Sequence, residues 1–282
     1  MVAETSIKKI GLIAGGGQFP LLFANSAKKQ GYAVVAIAHE GETLPELENA
    51  VDSLCWIRLG QLGKIIKYFH KEDISETVLL GSISKTNIFR DVRPDIKGLS
   101  LWNKIGSHQD DSILRAVAAE LEKNNIHVVA STLYLNNLLF PKGLVAGKKL
   151  KTKYMRDVSF GWHIARAIGE LDIGQCVVVR NQSVLAVEAI DGTDATIRRG
   201  GQLAQEEAVI VKVKKPNQDP RFDLPAIGVD TIESMVSVKA KVLAVEANHS
   251  LLFDHDEVVE AANKAGIIIV GLEENADGKL SY

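Results

Sequence analysis

Five short β-rich runs separated by helical patterns occupy the first half of the chain, and that alternation leaves few folds open. The runs are Lys8 to Ala14, Ala33 to Ala38, Ser53 to Leu59, Glu76 to Gly81 and Ile126 to Ala130. Helical spacing fills Pro20 to Gln30, Leu62 to Phe69 and Asp111 to Lys123. Near-continuous apolar runs are strands buried on both faces, so the pattern predicts a mostly parallel sheet covered by helices on both sides. Pro20 suits a first helical turn, and Gly31 stands where a C-terminal glycine cap belongs.

The grammar changes after residue 143. Gly143, Gly147, Lys148, Lys149, Lys151 and Lys153 read as an interdomain linker over 144–153. Beyond it, Gln175 to Val179 and Ser183 to Ile190 flank Arg180-Asn181-Gln182 as a hairpin. A strand at Ala208 to Val213 leads into a polar loop, Lys214 to Gly228. Asp230 and Glu233 fit a capping box for a helix running to Ala240. Strand Val242 to Glu246, helix Asp256 to Ala265 and strand Ile267 to Gly271 follow. The expectation is an α/β protein, with a parallel-sheet domain over 1–143 and a mixed α/β domain over 154–282.

Composition narrows the function classes. A net charge of −2 argues against a general nucleic-acid binder. Two distant cysteines, Cys55 and Cys176, suit buried thiols in a reducing cytoplasm. Met1 to Ser6 has no basic-then-apolar signal pattern, and no run of about 18 apolar residues occurs, so a cytoplasmic protein is expected. The mean hydropathy of +0.05 is nonetheless high and asks for a use.

Four segments carry chemistry. In Ala14-Gly15-Gly16-Gly17-Gln18-Phe19-Pro20, glycines between strand and helix can turn backbone amides toward an anion at the positive helix end. Pro20 replaces the third glycine of a dinucleotide fingerprint, although Glu40 lies where a ribose acid would sit. Asp110-Asp111 opens a helix, where one carboxylate serves the helix end and the other is free. Glu188, Asp191 and Asp194 cluster near Arg198 and Arg199, and guanidinium forks match phosphate oxygens. Last, Lys214 to Pro225 is stiffened by three prolines that hold Asp219, Arg221 and Asp223 in fixed relation. Carboxylates beside Lys and Arg are what Mg²⁺-assisted phosphoryl chemistry uses. P-loop, His-Glu-x-x-His and nucleophile-elbow patterns are missing.

At these residues the chain resembles the LpxI-type UDP-2,3-diacylglucosamine pyrophosphatases of lipid A biosynthesis, over nearly its whole length. The resemblance rests on Gly11 to Pro20, Asp110 to Val117, Leu171 to Gln175, Val184 to Asp194, Lys215 to Pro225 and Glu246 to Asp254. It implies a Rossmann-like N-terminal domain and a C-terminal α/β domain carrying catalysis and lipid binding. It also implies Mg²⁺-dependent hydrolysis of the substrate's pyrophosphate to UMP and 2,3-diacylglucosamine 1-phosphate. Asp223, Asp219 and Arg221 are the expected catalytic residues, and Asp191, Asp194 and Asp223 the expected metal ligands. Substrate binding is expected of Gly15, Gly16, Gly17, Gly81, Ser82, Asp110, Asp111, Gln182, Glu188, Thr193, Arg199 and Lys215. A homodimer touching the cytosolic face of the inner membrane, and acyl chains against Phe160, Trp162 or Leu251, are further expectations. Two other classes use the same residues: an NAD(P)-linked oxidoreductase on the glycine loop, and a non-catalytic nucleotide-sugar or lipid sensor.

Overall fold

The apolar runs of the first half assemble as their burial demands. The computed structural model describes residues 8–83, 94–102, 110–135, 138–216, 219, 221–222 and 224–282. Strands β1 (Lys9–Ala14), β2 (Ala33–His39), β3 (Ser53–Ile57), β4 (Glu76–Leu80) and β5 (His127–Val128) form one sheet in the order β3-β2-β1-β4-β5. Every pairing in it is parallel. Helix α1 (Phe19–Lys29) follows β1 with Pro20 in its first turn, where the missing N–H has no intrahelical partner to lose, and Gly31 follows it at φ +84°. Helices α2 (Leu47–Ala50), α3 (Leu62–Lys71), α4 (Ile96–Trp102) and α5 (Asp110–Glu122) complete the described α-helices of this unit, which also has a 3-10 turn at Ser131–Leu133. The α3 sequence buries Leu62, Ile65, Ile66 and Phe69, one helical face at the i, i+3, i+4, i+7 spacing.

The second unit is built on a mixed sheet. Its strands are β6 (Gly143–Ala146), β7 (Cys176–Arg180), β8 (Ser183–Val187), β9 (Val209–Lys212), β11 (Val242–Glu246), β13 (Ile268–Glu274) and β14 (Leu280–Ser281). The order is β14-β13-β11-β9-β7-β8, with β6 also paired to β13. Strands β9, β11 and β13 run parallel, whereas β6, β7, β8 and β14 add antiparallel pairings. A separate pair joins β10 (Ala226–Ile227) to β12 (Leu251–Leu252). Helix α6 (Thr152–Glu170) covers one face through Tyr154, Val158, Trp162 and Ala165. On the other face, α7 (Thr193–Ala204), α8 (Val229–Ser237) and α9 (His255–Ala265) contribute Ile197, Ile232, Met235 and Val258.

Three details depart from the sequence reading. The chain divides between 136 and 137, and residues 219–223 are counted with the first unit while 137–218 and 224–282 make the second. The segment 144–153 carries β6 and the start of α6, because Leu144-Val145-Ala146 is apolar enough for a short edge strand. Asp230 does not cap α8: Gly228 holds that position and Asp230 lies in the first turn, where its charge meets the positive helix end.

Candidate active site

A cavity of about 410 Å³ opens in the first unit at the carboxyl ends of β1, β2 and β4. That is where open parallel sheets carry their ligands. Gly15, Gly81 and Ser82 lie on its wall, as does Phe222. The glycine loop does different work from that expected of it. The Gly15 amide donates to the Leu80 carbonyl and the Gly16 amide to the Ser82 carbonyl, each at 2.7 Å. A Cβ on Gly15 would lie 2.6 Å from the Ser82 carbonyl oxygen, and one on Gly81 the same distance from that of Gly16. These glycines let two backbones touch across the ends of β1 and β4. Their amides are spent on that contact, so an anion cradle built from Gly15 and Gly16 is ruled out as a role for those two N–H groups. Only Gly17, at φ +84°, lies beyond the contact.

His39, at the end of β2, is a wall residue the sequence reading missed. It is 7% exposed, and its Nδ1 sits 2.9 Å from the Ala14 carbonyl oxygen, which also accepts from the Thr43 hydroxyl. A carbonyl only accepts, so Nδ1 carries the proton and a neutral ring has Nε2 as an acceptor. Burial lowers the His39 pKa, partly offset by the bond to Ala14 and by Glu42. The unfolded chain therefore takes up this proton first as pH falls, near 6.5, and folding opposes it. Stability contributed by neutral His39 is present above about pH 6.5 and is lost on acidification. Denaturant titrations from pH 7.5 to 5.5 will show the wild-type chain losing stability, and His39→Gln will flatten that slope; equal slopes would contradict this assignment.

The loop after Lys214 places Asp219 and Arg221 on α5. The Arg221 guanidinium donates from Nε (3.1 Å) and Nη2 (2.9 Å) to the two Asp219 oxygens and from Nη1 to Glu122 (2.8 Å). Arg115, one helical face along from Glu122, lies 3.7 Å from Asp219. The Arg221 pairing holds the Asp219 carboxyl below the usual carboxylate range, and the same pairing raises Arg221. Asp219 is thus a weak base, paired along two edges with one guanidinium. Phe222 joins the core of this unit and lies under Arg221, whose guanidinium carbon is 4.9 Å from the ring centroid. Asp223 lies outside the described residues, as do the side chains of Asp110 and Asp111, whose backbone opens α5. At the base of the loop, the Lys214 amide donates to Glu246 (2.8 Å) and Lys215 Nζ to Asp172 (2.7 Å).

The second-unit candidates find partners within that unit. Glu188 is buried, accepting from the Gln175 amide (3.1 Å) and the Thr193 hydroxyl (2.7 Å). Its alternation onto an inward position is thereby explained by local hydrogen bonds. Arg199 donates to Asp191 (2.9 Å) and to the Val187 carbonyl (3.0 Å), and that bond holds the Asp191 carboxyl low. Gln182 is a hairpin residue: Asn181 and Gln182 have φ of +50° and +55°, and both their amides donate to the buried Asp157 carboxylate. A glycine-poor turn of this kind needs such an anchor, which the sequence reading did not find in Asp157. Trp162 and Leu251 are fully buried in the second unit, and Phe160 packs partly buried against the same cluster as Trp162.

The metal expectation meets only part of what it needs. Among the described residues no three His, Cys, Asp or Glu side chains gather as a metal site. Asp191 is engaged by Arg199, while one Asp194 oxygen is buried without a hydrogen-bond partner. Among the described residues, no helix is long and apolar enough to cross a membrane.

The model of the LpxI N-terminal domain matches residues 9–138 and that of the LpxI C-terminal domain matches residues 141–270. A curated relative from Caulobacter vibrioides, named UDP-2,3-diacylglucosamine pyrophosphatase LpxI, is 31% identical over 278 residues, covering 95% of this chain and 98% of its own. Among solved structures, the CobK precorrin-6A reductase aligns over 93% of this chain and 86% of its own at 10% identity and a TM-score of 0.33, too distant to carry any argument. The two domain matches, end to end, and the full-length relative place this chain in the LpxI family.

Proposed function

We propose that the protein hydrolyses the phosphoric anhydride of UDP-2,3-diacylglucosamine, releasing UMP and 2,3-diacylglucosamine 1-phosphate. The full-length match to a relative bearing that name carries the reading. Water attacks one phosphorus, the P–O–P bridge breaks, and the leaving phosphate takes the electron pair of the bridge. Arg221, aimed by Asp219, and Arg115 offset charge on the diphosphate as the bridge breaks. Asp223 orients the attacking water and accepts its proton. Asp223 would help to hold Mg²⁺, which would supply charge neutralisation on the diphosphate. In this reading the enzyme is a cytoplasmic homodimer that meets the inner membrane only peripherally.

The direct test incubates the full chain with UDP-2,3-diacylglucosamine and Mg²⁺ and separates the products by chromatography. UMP and the lipid monophosphate in equal amounts are expected, with loss of turnover in EDTA. Tight binding with intact substrate would instead make the protein a sensor. The oxidoreductase alternative has lost its main support, because two glycine-loop amides are already bonded.

A further inference from the structure

Helix α4 has apolar side chains on both its sides. Gly98 and Leu101 line the first-unit cavity, and a Cβ on Gly98 would run into the Gly60 carbonyl oxygen, so this side is seated against the turn before α3. Asp95 fixes the root of the helix, accepting from the amides of Gly98 (2.9 Å), Gly63 (2.7 Å) and Lys64 (3.2 Å). Ile96 and Leu99 lie on the other side, 89% and 52% exposed. A helix apolar all round belongs in an interior or against another apolar layer, yet this one leaves two aliphatic side chains in water. The free charges beside them are positive. Lys97 on α4 and Lys64 and Lys67 on α3 are exposed, and none forms an ion pair among the described residues. Lys97 reaches the Asn124 side chain (3.1 Å) and His70 its carbonyl oxygen (2.8 Å), which places the outer side of α4 beside the exposed face of α3. The carboxylate between them, Asp95, is spent on backbone amides.

We propose that the outer side of α4 docks the protein on an anionic bilayer, with Ile96 and Leu99 entering the headgroup layer and Lys64, Lys67 and Lys97 meeting lipid phosphates. Aliphatic residues rimmed by lysines are the chemistry that an interfacial surface uses: hydrocarbon burial supplies adhesion, and the cations select the sign of the headgroup. A second copy of the chain fits this side badly, because a two-fold contact through α4 sets each lysine cluster against its own copy. The proposal rests on the hydrolase reading only for the choice of a bilayer, the source of a diacyl substrate.

The test separates docking from turnover. The full-length protein is pelleted with vesicles of phosphatidylcholine alone or with about one-third phosphatidylglycerol. Binding to the anionic vesicles is expected, weakening as salt is raised. Ile96→Ser with Leu99→Ser lowers the partition coefficient by about tenfold or more. Lys67→Gln with Lys97→Gln lowers it about tenfold on anionic vesicles and leaves the weak binding to phosphatidylcholine unchanged. Both variants release UMP at the wild-type rate from a short-chain UDP-diacylglucosamine that dissolves without a bilayer, and more slowly than wild type from the same headgroup on long chains held in vesicles. Absence of vesicle binding, vesicle binding unchanged in either folded variant, or self-association or RNA binding that these substitutions abolish in place of vesicle binding would overturn the proposal. Vesicle binding through α4 with no UMP release from either substrate would overturn the hydrolase reading and leave the docking surface standing.

Discussion

Arg221→Ala is expected to lower the rate of UMP release by about 10²–10³-fold. The side chain spends its two-pronged edge on Asp219 and its remaining terminal nitrogen on Glu122, so it is held from two sides before any substrate arrives. A donor fixed in this way stabilises developing phosphate charge without reorganising during the reaction. Lysine restores the charge but not the planar fork, so Arg221→Lys recovers only part of the loss. Asp219→Asn keeps the size of the aiming residue and weakens its hold. It should therefore raise KM and lower kcat less than Arg221→Ala does. Wild-type turnover in Arg221→Ala, with UMP measured by chromatography, would remove this cluster from the mechanism.

Trp162→Ala should destabilise the protein by about 3–5 kcal/mol, read from denaturant unfolding. The ring is fully buried at the centre of α6, and its Nε1 donates to Glu274 (3.0 Å). Arg166, one turn on, stacks 5.8 Å from the same ring and bonds Glu246 (2.8 Å). Glu246 in turn accepts from the Lys214 amide, where the charged loop begins. Loss of the ring thus opens a cavity and slackens the chain of bonds at the root of that loop. Trp162→Phe keeps most of the packing and forfeits the Glu274 bond, a loss of about 1 kcal/mol. Equal effects of the two substitutions would show that hydrogen bonding, not packing, dominates at this position.

Much of this architecture was legible because burial writes itself into local sequence. The five parallel strands of the first unit are unbroken apolar runs, and the β7–β8 hairpin is two such runs around Asn181-Gln182. Short edge elements such as β6 and β10 carry too few residues for a period to show. The capping box failed because Gly228, two residues earlier, already supplied the extended N-terminal position. For the site, sequence proximity was a partial guide. It grouped Asp219 and Arg221 correctly, but their partners Glu122 and Arg115 lie about a hundred residues away on α5. The three consecutive glycines invited a phosphate reading, since nothing local reveals that β4 approaches within touching distance of Gly15. His39 looked like any strand-end histidine until Ala14 came beside it.

The assignment of residues 219–223 to the first unit has a consequence for anyone cutting this chain. A fragment ending at residue 136 carries every strand of the parallel sheet yet lacks Phe222 from its core and Arg221 from Glu122. The N-terminal unit is therefore not a gene segment but a spatial one, completed by five residues encoded some eighty positions later. The two halves of the sequence are not separable modules, and exchanging one between relatives means carrying that pentapeptide across with it.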